Sequence, residues 1–584
     1  MISSKDFPRV LYREPRLKDD SEKIANILGI DSEAYTSGEP FILCLSDGRT
    51  FDPKDSPGCF LSEDFYDVNF VVWNLKYDSG AILYHLGLKI LKPLWENGKT
   101  KLLTDHGICT IQYVPHKLLR FTIKRNQINF WEISQFYKSK LDTAARTYLN
   151  EGKAAIATKN FTPAYVARFR KSILKYCIRD AQLTARLGVY FVDKLEEFGI
   201  TASTLYSSAS ISFKYFASRS NIVTVWRYWN EDRDALAFAS DAYGGGKFEV
   251  TSRGPFYGYE YDISSAYPHE IANLVDISNA TTKYTAEFQP KAAYGFLDCS
   301  IDNRTPHHIP CGPMVGVRIY PMGQFRMTIT APEYEYMLSL GITIKVHNAV
   351  WFFVKRKRYP YRKTVKELFR IKSDLKNKDK MLYNVTKVVL NGFYGKMAQS
   401  IEQPGGSVIV GSGWNPVYAS YITALTRLKV TKIQNLVKSD CLAVHTDSVI
   451  VKHPLPASVS IDNALGNFGL VVEGSGILVA SGMYQIADQC AFKGFKAKFG
   501  ETWKTILERF PNRKTIPYTV LHVESWLEAM AKNHEVNRIN VFQRARKMMA
   551  LNCDKKRIWQ NQVTAQDLLT TPENSLPKVF IQQT

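Results

Sequence analysis

Acidic side chains are in short supply in this chain. Its 584 residues include 55 Asp and Glu against 76 Lys and Arg, a net charge of +21 with a pI near 9.3. That balance suits a polyanionic partner, nucleic acid above all, whose phosphates give sequence-independent affinity. A plain solubility charge is the other reading. Paired cysteines are also missing. The nine Cys are scattered and none forms a CxxC pair, which argues against a zinc ribbon or a disulfide scaffold and fits a reducing compartment. No apolar segment follows Met1-Ile2-Ser3-Ser4-Lys5-Asp6, so no secretory signal is expected. No run reaches the length of a membrane-spanning helix. There is no fixed-period repeat and no low-complexity tract. A soluble, intracellular protein without a membrane partner is therefore expected. Hydrophobic content of 45% and aromatic content of 13% predict packed cores, and the length asks for two or more domains.

The acids that are present stand in telling places. Leu28 to Ala34 reads as a strand, so Asp31 and Glu33 share one face. Carboxylates placed so repel unless a cation lies between them. The apolar run Phe70-Val71-Val72-Trp73 leads into Asn74-Leu75-Lys76-Tyr77-Asp78, with a helix expected from Ala81. Asp78 reads either as a functional acid or as that helix's N-cap. Ile128 to Ile133 is a further strand. From Lys171 to Leu183 the periodicity is helical, and Tyr176 and Asp180 fall on one face, which a purely structural helix also achieves.

The second half carries another pair of acids. Tyr259, Tyr261 and Ile263 form strands well, Asp262 stands at the strand's rim, and Pro268 ends the ladder. Val444 to Val451 is a second strand-like run that bends at Asp447. Two carboxylates on neighbouring strands can hold a pair of divalent ions for phosphoryl transfer. Upstream, Tyr243-Gly244-Gly245-Gly246 is a flexible turn or a close approach of backbone to a ligand. Between the acids the pattern is helical from Tyr361 to Gln399. Lys372 and Lys376 share a face, which weakens a helix slightly and points to an anionic ligand or to solvation. Lys387, Asn391 and Tyr394 form one polar-aromatic stripe. Trp351 to Tyr359 mixes aromatic and basic residues, as a groove that stacks on bases would.

Taken in order, D-x-E at Asp31 and Glu33, N-x-x-Y-D ending at Asp78, and Y-x-x-x-D at Tyr176 and Asp180 resemble the three motifs of DEDD (DnaQ-like) exonucleases. The resemblance implies that these four acids bind two metals, Asp31, Glu33 and Asp180 among the ligands, and that Tyr176 orients the attacking water. D-x-x-S-x-Y-P at Asp262–Pro268 resembles motif A of family B DNA polymerases. Lys387 to Gly395 resembles motif B, and His445-Thr446-Asp447-Ser448 resembles motif C, usually D-T-D-S. By this resemblance Asp262, Ile263 and Asp447 would bind metal, and the backbone at Ile263, Ser264, Ser265 and Ala266 would hold a triphosphate. Tyr267 would exclude a 2′-hydroxyl. Lys372, Lys376 and Lys387 would meet the triphosphate, and Asn391 and Tyr394 would line the nascent pair. Tyr243, Gly244 and Gly245 resemble the Y-x-G-G/A motif that contacts template. Lys138-Ser139-Lys140-Leu141 and the segment around Lys153 resemble auxiliary strand-binding motifs. Two departures stand out. His445 replaces an Asp, and Gly482 replaces the Lys of a K-x-Y motif whose Tyr is Tyr484; Lys493, Lys496 and Lys498 are candidates to stand in for it.

The compact size and motif spacings resemble the protein-primed branch of the family, with the second palm insertion reduced between Gly395 and His445. The expectation is an α/β multidomain (α+β) chain: an RNase H-like DEDD exonuclease over 1–200, a linker over 201–255, palm over 256–360 with a candidate terminal-protein region, fingers over 361–398, palm again over 399–478 and thumb over 479–584. It is expected to be a virus- or plasmid-encoded monomer that copies DNA from dNTPs with two Mg²⁺ per site, or Mn²⁺ in its place, on a primer or a terminal protein. The alternative is a replication factor that keeps the polymerase fold with only nuclease activity or none.

Overall fold

A computed structural model describes residues 3–12, 23–156, 161–402, 406–495, 497 and 500–581. Lys496, Lys498 and Gln403-Pro404-Gly405, a stretch whose composition reads as a turn, lie outside the described residues.

The first third of the chain is built on an eight-stranded sheet. Its centre is three parallel strands, Ile27–Ala34, Asn69–Val72 and Asn126–Glu132. Antiparallel strands extend both edges: Pro40–Leu45 and Thr50–Phe51 on one side, then Leu118–Ile123, Gly107–Val114 and Lys99–Thr104 on the other. Parallel strands covered on both faces read as apolar runs, and Phe70, Val71 and Val72 are fully buried. On one face Phe60, Phe70, Phe121 and Phe130 pack edge-on or stacked. On the other lies the long helix Pro163–Glu197, started by Thr162 as N-cap and Pro163 at its first position. Gly29 brings that helix close, since a Cβ there would lie 1.9 Å from the Ala181 carbonyl oxygen. The helix expected from Ala81 begins earlier, at Leu75, because the Asn74 carbonyl already accepts from Tyr77 and Asp78.

The next sheet also has eight strands and is antiparallel throughout. Its order is Lys247–Val250, Cys441–Thr446, Ser448–Val451, Ser252–Ile263, Phe468–Ala480, Met483–Ile486 and Gln489–Phe492, with Glu573–Asn574 paired to Ser252–Ile263. The helix Pro416–Val437, buried along most of its length, packs behind this sheet. Helices Arg362–Leu375 and Lys380–Met397 stand beside it and are held by Ser208–Arg219 through the stacked rings of Phe216 and Phe393, 4.0 Å apart. A separate five-stranded sheet spans Thr281 to Phe353 and takes Val579–Ile581 as a parallel edge strand. Between Gly395 and His445 the described residues form a small hairpin, Ser400–Glu402 with Val408–Val410, and the helix Pro416–Val437.

Near its end the chain makes a two-stranded ribbon, Thr515–Val523 with Phe542–Ala550. Its tip carries the helix Trp526–Ala531 and docks on the first sheet. Trp526 is fully buried there and donates its indole N–H to Ser79 Oγ at 3.1 Å. Asn540 donates to the Tyr77 carbonyl at 3.1 Å, and Lys76 pairs with Glu528 at 2.9 Å. No helix among the described residues is long and apolar enough to cross a membrane.

Candidate active sites

The first sheet and its helices gather five of the expected residues. Asp31 and Glu33 project from the strand Ile27–Ala34 toward the helix Pro163–Glu197, which carries Tyr176 and Asp180. Asp78 lies in the first turn of Leu75–Leu83, where Asn74 and not Asp78 is the N-cap, and it accepts the Ser32 hydroxyl at 2.6 Å. Burial raises all four carboxyls. Their mutual repulsion raises Asp31 and Glu33 further, so Glu33 is pushed up to about 8 and Asp31 stands well above the usual range. Asp78 is pushed up to about 7, and Asp180 is raised in spite of the cation beside it. That cation is Lys153, which ion-pairs with Asp180 and lies 5.0 Å from the Tyr176 ring centre. Asp180 Oδ1 is buried with no hydrogen-bond partner. The ligand atoms of Asp31, Glu33 and Cys177 lie within 4.8 Å of one another. Cys177 gave no sequence signal; it donates its thiol to the Asp31 carbonyl at 3.6 Å. Buried, mutually repelling oxygen donors with an orphaned atom suit a divalent cation.

The second sheet brings Asp262 and Asp447 together at one end. Asp262 is the penultimate residue of Ser252–Ile263 and faces Ser448. Asp447 occupies the tight turn between the next two strands, and its carbonyl accepts the Ile263 N–H at 2.9 Å. Two backbone positions beside these acids lie in the left-handed region, Ser265 at φ 53° and Thr446 at φ 58°. For a β-branched residue such as Thr446 that conformation is strained, and such strain clusters at functional sites. Burial, then Asp447, then Glu260, push the Asp262 carboxyl up to about 7; burial raises Asp447 also.

One cation, Lys372, lies close enough to act on Asp262. Lys372 donates to Ser265 Oγ at 2.8 Å, and burial and then neighbouring Lys387 hold its ammonium below the usual range. Lys376 and Lys387 are exposed, as is Asn391. The Tyr267 and Tyr394 rings are 4.6 Å apart, and the Tyr394 hydroxyl bonds that of Tyr243. Of the four backbone amides expected to meet a triphosphate, those of Ile263 and Ser264 are engaged by the Asp447 and Asn467 carbonyls. The glycine turn also has an internal partner. The Gly244 and Gly245 carbonyls accept from Arg427, which is buried in an ion pair with Glu333 at 2.7 Å. At Gly246 a Cβ would lie 2.5 Å from the Thr446 side chain, so this turn packs directly on the Asp447 bend.

The two departures prove to be neighbours. His445 is buried, accepts the Gly482 N–H at Nε2 at 3.3 Å and stacks on Tyr484 at 5.1 Å. Burial, then Lys493 and Lys556, push its imidazole down to about 4, so it is neutral at physiological pH. A Cβ at Gly482 would lie 2.8 Å from the Lys493 stem, whose ammonium sits 4.4 Å from the Phe248 ring centre.

Residues 111–412 match the family model for DNA polymerase type B, organellar and viral. The chain belongs to the organellar and viral type B DNA polymerases. Within curated proteins this type B chain is 25% identical over 305 residues to a DNA polymerase of Acidianus bottle-shaped virus, covering 50% of this chain and 44% of that one. It is 25% identical over 252 residues to the primer-independent DNA polymerase PolB of Escherichia coli, covering 37% and 28% respectively. The matches therefore span less than half of either relative. Among solved structures the fold is similar to Phi29 DNA polymerase complexed with primer-template DNA and incoming nucleotide. The TM-score is 0.59 at 12% identity, over 90% of this chain and 99% of that one. The binary complex of the same polymerase with primer-template DNA gives 0.59 at 13% identity. The expected fold class, an exonuclease followed by palm, fingers and thumb, is thereby borne out.

Proposed function

We propose that this type B chain is a DNA-directed DNA polymerase with a separate 3′→5′ proofreading exonuclease. The observation that carries the reading is the meeting of Asp262 and Asp447 at one end of the central sheet, opposite Lys372 and beside Tyr267 and Tyr394. Two Mg²⁺ ions, or Mn²⁺ in their place, held by Asp262, Asp447 and the Ile263 carbonyl would acidify the primer 3′-hydroxyl and neutralise the triphosphate. Lys372, Lys376 and Lys387 add fixed positive charge where the leaving pyrophosphate develops its own. Ser265 and Ala266 supply the backbone donors that Ile263 and Ser264 have already committed. Tyr267, held against Tyr394, closes the floor under the sugar and excludes a 2′-hydroxyl. Asn391 and Tyr394 flank the nascent pair, and Tyr243, Gly244, Gly245 and Tyr484 touch template and primer.

In the nuclease site Asp31, Glu33, Asp78 and Asp180 would hold the ions, which would supply an activated water for hydrolysis of mispaired ends. Tyr176 orients the water, and Lys153 fixes Asp180 while reaching the bound strand. We read the chain as a monomer of a viral or plasmid replication system, primed by the hydroxyl of a terminal protein.

One assay tests the core of this. Primed template, Mg²⁺ and dNTPs are supplied to the parent and to Asp262→Ala and Asp31→Ala variants. Absence of extension by the parent overturns the polymerase reading, and extension that survives Asp262→Ala overturns the site assignment. Asp31→Ala is expected to extend primers while losing single-strand degradation. A covalent nucleotide adduct on a candidate terminal protein tests the priming claim.

A further inference from the structure

Arg427 is a buried cation that none of these roles uses. It stands on the helix Pro416–Val437 and is 1% exposed. Its partner Glu333 is fully buried on the helix Ala331–Ser339, which follows the strand Met322–Thr330 of the five-stranded sheet. The guanidinium is divided between two elements. Nε and Nη2 donate to Glu333 Oε1 at 3.2 and 2.7 Å. Nη1 donates to the Gly244 carbonyl at 2.6 Å and to the Gly245 carbonyl at 3.0 Å. Glu333 is itself fixed, since its Oε2 accepts the Thr330 hydroxyl at 2.9 Å and the Thr330 N–H at 3.2 Å.

A buried ion pair is a poor device for stability. Stripping water from both charges offsets their attraction, and apolar residues of similar volume often do as well or better. Apolar residues cannot hold two carbonyls, whereas a rigid fork of N–H groups can. Left without that donor, the Gly244 and Gly245 carbonyls would be buried unpaired and the turn would have to move. The turn leads directly to the sugar side of the polymerase site. Tyr243 adjoins Gly244, its hydroxyl bonds that of Tyr394, and the Tyr394 ring lies 4.6 Å from that of Tyr267. A continuous line of contacts therefore runs from Glu333 through Arg427, the glycine turn, Tyr243 and Tyr394 to the ring that would exclude a 2′-hydroxyl.

We propose that Arg427 is a positioning residue for sugar discrimination. By holding the Gly244 and Gly245 carbonyls it fixes Tyr243, and through Tyr394 it keeps Tyr267 against the incoming sugar. This rests on reading the chain as a polymerase with Tyr267 under that sugar. Arg427 touches no substrate and acts only through the turn.

Arg427→Met combined with Glu333→Leu removes both charges together, so no lone ion stays buried; thermal melting confirms folding. Single-nucleotide primer extension is measured with a dNTP and with the matching rNTP, and the two kcat/KM values are compared. The expected result is a dNTP-over-rNTP ratio lowered about tenfold, and no further than Tyr267→Ala takes it. In a Tyr267→Ala background the same two substitutions should leave the ratio where it is, because the ring they act through is gone. A purely structural contribution would lower the use of both nucleotides together and leave the ratio alone. A parental ratio in the folded double variant overturns the proposal, as does an equal fall with and without Tyr267. Arg427→Lys keeps the charge and loses the fork; its ratio should lie between the two, and it serves as the reporter if the double variant does not fold, a parental ratio again overturning the proposal. A parent that never extends a primer fails the polymerase reading and this inference with it, whereas an unchanged ratio in a variant that extends fails this inference alone.

Discussion

Replacing Gly29 with alanine separates the placement of the nuclease-side acids from their chemistry. Gly29 lies on the strand Ile27–Ala34, two residues before Asp31 and beneath the helix that carries Tyr176 and Asp180. An alanine Cβ would fall 1.9 Å from the Ala181 carbonyl oxygen and 2.8 Å from the Ala185 nitrogen. A carbon and a carbonyl oxygen rest at about 3.3 Å or more, so helix and strand must part by more than ~1 Å. Both obstructing atoms are helix backbone, so no side-chain rotation relieves the clash. Gly29 is not among the glycines with positive φ, which makes the effect steric and not conformational.

Overpacking of this kind costs about 1–3 kcal/mol. Because Ala181 follows Asp180, the displacement carries Asp180 and Tyr176 away from Asp31 and Glu33. A shift near ~1 Å in a reacting geometry costs on the order of 10²-fold in rate. Degradation of 5′-labelled single strands should fall by that factor, while extension of a primed template changes by no more than a few-fold. Gly58→Ala is the control, since nothing lies within 4 Å of its added Cβ. If Gly29→Ala degrades single strands within about threefold of the parent, the idea that helix spacing sets the site is refuted.

The same geometry sets four other outcomes. The folded Asp262 carboxyl stands near 7 against its usual 3.8, so the folded state keeps a proton that the unfolded chain loses, and metal-free stability falls as pH rises between those values. In EDTA at about pH 8, Asp262→Asn should therefore melt above the parent by roughly 1 kcal/mol after solvent screening, the gap closing toward acid pH. Lys153→Ala strips Asp180 of its cation, which should move the pH–rate profile of strand degradation to higher pH and leave that of extension in place. Trp526→Ala empties a fully buried site and should cost about 3–5 kcal/mol locally, seen as faster amide exchange over 524–541 and 75–83 with the palm strands unchanged. Tyr267→Ala should raise single-ribonucleotide incorporation about tenfold or more in primer extension.

Short-range periodicity made much of this legible. Alternation alone puts Asp31 and Glu33 on one face, and the helical stripe of Lys387, Asn391 and Tyr394 runs along one helix, Lys380–Met397. The beginning of Leu75–Leu83 was hidden because Asn74 caps it through backbone geometry and Gly80 sits inside it, packed against Asn540. Contacts across large sequence distances left no local trace. Trp526 reaches Ser79 across 447 residues, and Tyr243 reaches Tyr394 across 151.

Both sites place an acid two residues from another on a central strand, Asp31 with Glu33 and Glu260 with Asp262. In each a glycine admits close backbone packing, Gly29 under Ala181 and Gly246 against Thr446. The strand fixes the spacing of the acids, and the glycine fixes the distance to the element that completes the set. What differs is the internal cation. Lys153 pairs directly with Asp180 in the proposed nuclease site, whereas Lys372 in the proposed polymerase site bonds Ser265, and among the described residues Asp262 has no ion pair. With no ion pair among the described residues to neutralise Asp262 or Asp447, the proposed polymerase site should gain more stability from added divalent cation. Comparing the Mg²⁺-induced rise in melting temperature of Asp31→Ala with that of Asp262→Ala reads this difference directly. The larger rise belongs to Asp31→Ala, which retains the polymerase site; an equal or smaller rise would mean that Lys153 does not offset the charge of the nuclease site.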